Sequence, residues 1–195
     1  MAAGHCCASV SVVPQLIHLN GPPGIGKSTI AERYVAEHAG VLNLDIDRVR
    51  GLIGGWQEDF AGAGEMVRPI AISMASTHLS LGRDVVMPQY LGAVAELERF
   101  ENAALATGSR FREIVLMDSV EQSVERFYAR GANDDDPWHP HVVRVVEAAG
   151  GAASLTAMHE RLCRLLSMRQ HAVVIPTSAG AIAATYEALL DALDS

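Results

Sequence analysis

The first residues with recognisable chemistry lie at positions 21–28, which read GPPGIGKS. They match G-x-x-x-x-G-K-[ST] in full, with an apolar segment before them and a helical pattern after them. Glycines let backbone N–H groups turn inward around phosphates, and the helix N-terminus adds partial positive charge. The pattern predicts binding of ATP with Mg²⁺. The expected nucleotide contacts are Gly21, Pro22, Pro23, Gly24, Ile25, Gly26, Lys27, Ser28 and Thr29.

Within this loop, two side chains have specific expected roles. Lys27 should reach the β- and γ-phosphates, where it would also assist transfer, and Ser28 should offer its hydroxyl to Mg²⁺. Thr29 is expected to support the start of the helix. The alternative is a glycine-rich turn that merely begins a helix, which the flanking strand and helix patterns disfavour.

A second charged group follows in NLDIDRVR, residues 43–50. Asp47 lies twenty residues after Lys27, which leaves room for one helix and one strand and returns it to the phosphate edge. A carboxylate there can accept a proton from an attacking hydroxyl or hold a magnesium-bound water. We expect Asp47 to act as base or substrate ligand and Asp45 to lie near the metal. Either aspartate could instead cap a helix.

A third group, SVERFYARG, places Arg126 and Arg130 four residues apart on one helix face. Two guanidinium groups entering a mobile segment would clamp the transferring phosphoryl group. We therefore predict a lid at about 126–141. The alternative is a solvated face that pairs with Glu121 or Glu125.

The rest of the predicted lid is polar and broken by prolines. Its acidic run at 134–136 would repel a polyanion, which disfavours a nucleic-acid acceptor. His139 and His141 are not accompanied by a zinc-binding pattern, so a metal site there is not expected.

The predicted acceptor side spans about 48–65, a stretch rich in glycine. Trp56 and Phe60 could stack on a substrate ring or fill the space under a lid. Gln89 and Tyr90 follow the third strand and could contact acceptor hydroxyls, although Pro88 could simply enforce a turn there.

Strand-like and helix-like segments alternate along the chain, which predicts βαβ units and a mostly parallel sheet covered on both faces. A helix follows the phosphate loop up to Gly40. Strands are predicted at 15–20, 41–46, 84–89, 111–118 and 171–176. Further helices are predicted near 65–81, 93–107, 119–130, 152–169 and 179–193. The expected fold is a three-layer α/β P-loop NTPase with a five-stranded sheet and a lid.

Length and composition agree with one domain over 1–195, with a loose N-terminus at 1–13. The net charge of −8 is a poor match for nucleic acid or an anionic membrane. Cys6 and Cys7 are expected to be free thiols, and with Cys163 they form no disulfide or metal pattern. Without a membrane span or secretory signal, a cytoplasmic protein is expected.

Two P-loop classes are disfavoured by missing motifs. The chain has no N-K-x-D guanine motif of a GTPase switch. The third strand ends VVMPQY, with Pro88 and Gln89 where an AAA-type motor would carry Asp-Glu. These absences favour a small phosphotransferase.

The phosphate loop and D-x-D-R-x-R together resemble the small P-loop kinase superfamily. This includes shikimate and gluconate kinases, chloramphenicol phosphotransferase, zeta-toxin kinases and the polynucleotide 5′-kinase domain. The resemblance covers about the first fifty residues. It implies that Asp47 activates the acceptor hydroxyl and that Arg50 contacts the acceptor or a phosphate. It also implies that residues 175–180, IPTSAG, border the adenine.

The expected activity is transfer of the γ-phosphoryl group of ATP to a hydroxyl of a small molecule. Asp47, Arg50, Trp56 and Gln89 are the expected acceptor contacts. One alternative is a 5′-hydroxyl polynucleotide or nucleoside kinase, which would need a basic channel. Another is a regulatory ATP-binding module whose nucleotide state controls a partner.

Overall fold

In the computed structural model, residues 13–131 and 138–195 are described. Their strands form one five-stranded sheet in the order β2-β3-β1-β4-β5. Every pairing in that sheet is parallel, so the predicted α/β architecture is confirmed. The strands are β1 (Gln15–Asn20), β2 (Leu42–Asn43), β3 (Val85–Pro88), β4 (Arg110–Met117) and β5 (Val173–Pro176).

Helices connect these strands and cover both faces of the sheet. The first five are α1 (Lys27–Glu37), α2 (Ile46–Arg50), α3 (Phe60–Ser80), α4 (Val94–Ala106) and α5 (Val120–Gly131). The last three are α6 (Trp138–Ala148), α7 (Ala152–Met168) and α8 (Ile182–Asp194). Among the helices of the described ranges, none combines the length and apolar character that crossing a membrane requires.

The sheet is buried because successive strand residues alternate between two apolar layers. On one face, Leu16 and Val115 pack with residues of α3, α4 and α7. On the other face, Ile17 and Ile114 pack with residues of α1 and α8. A smaller cluster joins α5, α6 and α7 through Phe127, Val146 and Leu155.

Parallel strands end at a common edge, and this edge collects polar residues from several segments of the chain. The phosphate loop follows the central strand β1, and Asp118 follows the neighbouring β4. The loop after β2 carries Asp45, and Gln89 follows β3. The sheet therefore brings segments that are distant in sequence to one end of the molecule.

The larger differences from the sequence prediction concern β2, α3 and α6. The predicted strand at 41–46 is wrong beyond Asn43, because Asp45 caps α2 and turns the chain into a helix at Ile46. The third helix begins at Phe60 rather than near 65, because the Asp59 side chain accepts the Gly62 N–H. The prolines of the predicted lid suggest an irregular segment, yet α6 starts at Trp138 within it.

The start of α6 has a simple explanation. Pro140 lies in its first turn, where an N–H has no partner within the helix. Proline is therefore tolerated at that position. The predictions for Cys6, Cys7, the loose N-terminus and the acidic run 134–136 concern residues outside the described ranges, apart from Val13.

Candidate active site

The phosphate loop has the backbone that its glycines permit. Gly21, Gly24 and Gly26 have φ angles of 146°, 81° and 104°, a region that other residues rarely adopt. The Lys27 ammonium group donates to the carbonyl oxygens of Gly21 at 2.8 Å and Pro22 at 2.9 Å. The lysine thus folds back over the loop and points its charge at the region the loop encloses.

Helix α5 packs directly on this loop. A Cβ at Gly24 would lie 2.7 Å from the Phe127 Cα, so only glycine fits there. Arg126 donates from Nη2 to the Ile25 carbonyl at 2.7 Å and lies 3.3 Å from the Asp118 carboxylate. Arg126 therefore joins the loop to the end of β4 and does not pair with Glu121 or Glu125.

Ser28 and Asp45 lie together beside the loop. The Ser28 hydroxyl is 3.5 Å from Asp45 Oδ2, while Asp45 Oδ1 accepts the N–H groups of Asp47 and Arg48. Asp45 is thus the N-cap of α2, and its second oxygen stays directed at Ser28. Two oxygen donors next to a phosphate loop suit Mg²⁺, which prefers oxygen ligands. These residues fit the expected metal.

Asp47 lies in the first turn of α2, next to Arg50. Its carboxylate is 3.4 Å from Arg50 Nη1, and its side chain remains 36% exposed. Partial burial raises the pKa of Asp47 to about 6, an effect that Arg50 opposes and Asp45 reinforces. A carboxylate with this pKa is poised to exchange a proton near neutral pH.

Lys27 also has a shifted pKa. Burial lowers the pKa of Lys27 to about 8, with Asp47 opposing the shift and Arg130 adding to it. The charge of Arg130 therefore acts on the same site as the lysine. The structure brings Lys27, Asp47, Arg126 and Arg130 around one end of the phosphate loop.

An aromatic cluster lies around Arg50, the neighbour of Asp47. The Trp56 ring stacks on Trp138 with centroids 4.8 Å apart, and Phe60 lies 5.8 Å from Trp138. His141 touches both Trp56 and Phe60 with its ring. Arg50 is buried beneath this cluster, so Trp56 and Phe60 contact the predicted lid segment in the structure.

The end of β3 carries a polar group facing the same edge. Gln89 is held by its backbone, which donates to the Leu19 carbonyl and accepts from His18 Nε2. Its side-chain Oε1 is buried and finds no hydrogen-bond partner among residues 13–131 and 138–195. Tyr90 points elsewhere and donates to the Met158 carbonyl.

Sequence reasoning missed two contributors to this arrangement. Asn20, the last residue of β1, accepts the N–H groups of Gly21 and Leu91 and donates to the Leu91 carbonyl, which ties the loop to the end of β3. Trp138 joins the aromatic cluster from α6. A polar residue ending a buried strand and a tryptophan between two prolines were the available signals.

The region expected to border adenine forms a cavity of about 330 Å³. It is lined by residues at and after the end of β5 and at the start of α8. Among them, the hydroxyl groups of Thr177 and Thr185 form a hydrogen bond of 2.8 Å. A larger groove of about 620 Å³ lies on the exposed side of α3. It is lined by Leu42 of β2 and by residues from the middle of the helix up to its C-cap Leu81. None of the predicted site residues line that groove, so it is separate from the phosphate loop.

Several solved structures share this fold. A gluconokinase from Sinorhizobium meliloti 1021 is 18% identical, with a TM-score of 0.62 and 93% of each chain covered. The Deinococcus radiodurans tunicamycin resistance protein is 17% identical, with a TM-score of 0.62, covering 92% of this chain and 95% of its own. A deoxyadenosine kinase from M. mycoides is 11% identical, with a TM-score of 0.53, and the match covers 92% of this chain and 98% of the kinase chain.

Sequence comparison gives a family assignment. Curated proteins yield no significant match. A family model described as "AAA domain" matches residues 16–148, which include the phosphate loop, Asp45, Asp47 and all of α5. Within this range, β3 ends at Pro88 and is followed by Gln89, at the positions where an AAA-type motor would carry Asp-Glu. Because the match covers more than half of the chain, the protein belongs to this AAA-domain family, and its fold is the one that it shares with the kinase structures above.

Proposed function

We propose that this protein is an ATP-dependent kinase that phosphorylates a hydroxyl group of a small molecule. The observation that supports it most strongly is the position of Asp47. This partly exposed carboxylate lies beside Arg50 and close enough to Lys27 to raise the pKa of the lysine against the effect of burial. A proton acceptor at this point serves an attacking hydroxyl. We propose one kinase domain, with an acceptor side at about 48–65 and a lid that includes Arg126 and Arg130.

The nucleotide would lie on residues 21–29, with its adenine in the cavity between β5 and α8. Lys27 and the loop N–H groups would hold the phosphates. Ser28 and Asp45 would hold Mg²⁺, which when bound neutralises charge on the β- and γ-phosphates. Little covalent work is required of the protein, since positioning and charge stabilisation supply most of the rate.

On the acceptor side, Asp47 would take the proton of the attacking hydroxyl. Arg50 and Gln89 would orient the acceptor, and Trp56 would border it. Arg126 and Arg130 would stabilise charge on the transferred group from α5. The names of the structural neighbours include kinases, which agrees with this reaction class but leaves the acceptor open.

The test of the proposal is an acceptor screen that follows ADP release. Sugars, sugar acids, nucleosides, antibiotics and oligonucleotide 5′ ends should be compared, with the phosphorylated product identified by mass spectrometry. We expect one small-molecule class to stimulate ADP release. Stimulation by oligonucleotides alone would favour the polynucleotide kinase alternative, and slow hydrolysis that no acceptor stimulates would favour a regulatory module.

The raised pKa of Asp47 predicts an acid limb in the pH profile. A base must be ionised, so its active fraction falls about tenfold per pH unit below a pKa of about 6. We expect kcat/KM for the acceptor to be level above that value and to decline below it with a slope of one. An acid limb unchanged by Asp47→Asn would assign the titration to another group.

Arg126→Ala should lower turnover more than nucleotide affinity. Arg126 contacts the loop carbonyl of Ile25 and the Asp118 carboxylate, which places its charge beside the phosphate loop, and we propose that it stabilises negative charge on the transferring phosphoryl oxygens. We expect kcat to fall about 10²-fold or more, by analogy with the loss of one preorganised donor. Arg126→Lys, which keeps the charge, should lose less. A fall in ATP affinity with unchanged kcat would contradict the assignment.

A further inference from the structure

Arg50 is held chiefly by aromatic rings. Its Cζ lies 4.3 Å from the ring centre of Phe60 and 5.7 Å from that of Trp138, both within cation–π range. The side chain is 10% exposed, and its contact with Asp47 is long, at 3.4 Å. In the described part of the chain, its Nε has no hydrogen-bond partner. Hydrogen bonds therefore do little to fix this guanidinium group.

The two rings come from separate elements. Phe60 is the first residue of α3, and Trp138 is the first residue of α6. Trp56 stacks on the far side of the cluster, with an interplanar angle of 27° to Trp138. The contact of α6 with the segment before α3 thus decides how closely the aromatic rings enclose Arg50.

We propose that Phe60 and Trp138 are positioning residues that hold Arg50 beside Asp47. This inference rests on the proposed function, because it assigns the rings a part in orienting the acceptor side. A buried guanidinium charge needs partners that offset its lost hydration, and among the described residues Asp47 is the one carboxylate that pairs with it. Without the rings, Arg50 would turn toward solvent and leave Asp47 without its neighbour.

The kinetic test is a double-mutant cycle between Trp138 and Arg50. Trp138→Leu should lower kcat up to about 10²-fold, the cost of a misplaced group near the reacting atoms, while KM for ATP changes little. Trp138→Phe, which keeps a ring, should restore most of the loss. In an Arg50→Met background, Trp138→Leu should have almost no further effect, since the residue that it positions is already absent.

A matched variant separates positioning from helix packing. Val146→Ala loosens the contact of α6 with α5 and α7 without touching Arg50. We expect its effect on kcat to persist in the Arg50→Met background, unlike that of Trp138→Leu. Additive losses for Trp138→Leu and Arg50→Met would overturn the positioning role.

A second measurement needs no acceptor. The sequence has two tryptophans, Trp56 and Trp138, and both lie in the cluster, so Trp56→Phe leaves Trp138 as the sole reporter. Adding Arg50→Met should change the emission maximum and acrylamide quenching of Trp138. Arg48→Met, which removes a charge that is 68% exposed, should not.

These two measurements distinguish the possible failures. Unchanged Trp138 emission in the Arg50→Met protein would overturn the contact itself. If the emission changes but no acceptor is phosphorylated, the proposed kinase function fails and the positioning role falls with it. If transfer occurs but the cycle is additive, the kinase function stands and only the positioning role fails.

Discussion

Asp47→Asn should reduce phosphoryl transfer by about 10²–10⁴-fold, the usual contribution of a positioned base. That range corresponds to roughly 3–5 kcal/mol of activation free energy. Asparagine keeps the size of the side chain and an oxygen that can face Arg50, which lies 3.4 Å from the carboxylate. The substitution therefore removes the proton acceptor with little change in packing. The measurement is kcat with the acceptor found in the screen.

Asp45→Asn gives a sharp comparison two residues away. Asparagine caps helices about as well as aspartate, so α2 should remain in place while one oxygen near Ser28 loses its charge. If Asp45 serves the metal, excess Mg²⁺ should partly restore activity in Asp45→Asn and should not do so in Asp47→Asn. Equal rescue of both variants would contradict the separate roles.

The control for Asp47→Asn should remove the same charge at the other end of the sheet. Asp84 precedes β3 and accepts the Gln15 N–H at 2.9 Å, a bond that asparagine can also form. Asp84→Asn should keep near wild-type activity. Near wild-type transfer by a well-folded Asp47→Asn protein would remove Asp47 as the base, and Asp118 would be tested next.

Lys27→Ala should weaken nucleotide binding or abolish transfer while the fold stays intact. Hydrogen bonds to charged groups contribute about 1.5–3 kcal/mol each. Loss of contacts to two phosphates should therefore lower kcat/KM for ATP by about 10²–10⁴-fold. Arg83→Ala is a charge-matched control, because Arg83 is exposed near the opposite edge of the sheet. Undiminished transfer by folded Lys27→Ala would rule out the assigned role.

The binding half of this prediction can be measured without an acceptor. Lys27 is the only lysine of the chain, so an amine reagent reports on it and on the N-terminal amine alone. Its pKa of about 8 leaves a large neutral, reactive fraction near that pH. ATP with Mg²⁺ should protect Lys27 from labelling, as followed by peptide mass spectrometry. Equal labelling with and without nucleotide would contradict binding through residues 21–28.

Local sequence patterns determined the phosphate loop and most of the sheet. The loop was predictable because its conformation depends on residues that are close in sequence, with glycines at the positive φ angles of Gly21, Gly24 and Gly26. The strands were predictable because burial on both faces selects short apolar runs, which are visible without any knowledge of their neighbours.

The boundaries that were wrong depended on side chains competing with the local pattern. VLNLDI reads as a strand by its apolar residues, but the Asp45 carboxylate satisfies two free N–H groups of a helix start and ends the strand at Asn43. The prolines around Trp138 suggested an irregular segment, although Pro140 occupies a first helical turn where it is tolerated.

The sequence by itself also predicts which charged residues lie at one edge of the sheet, because strand ends in a parallel sheet meet there. Only the tertiary structure decided which of them touch. The contacts of Arg126 with Ile25 and of Arg50 with Trp138 join residues 101 and 88 positions apart, and no local spacing encodes such pairs. They follow from how α5 and α6 pack on the loop and on α3, which depends on burial summed over the whole chain.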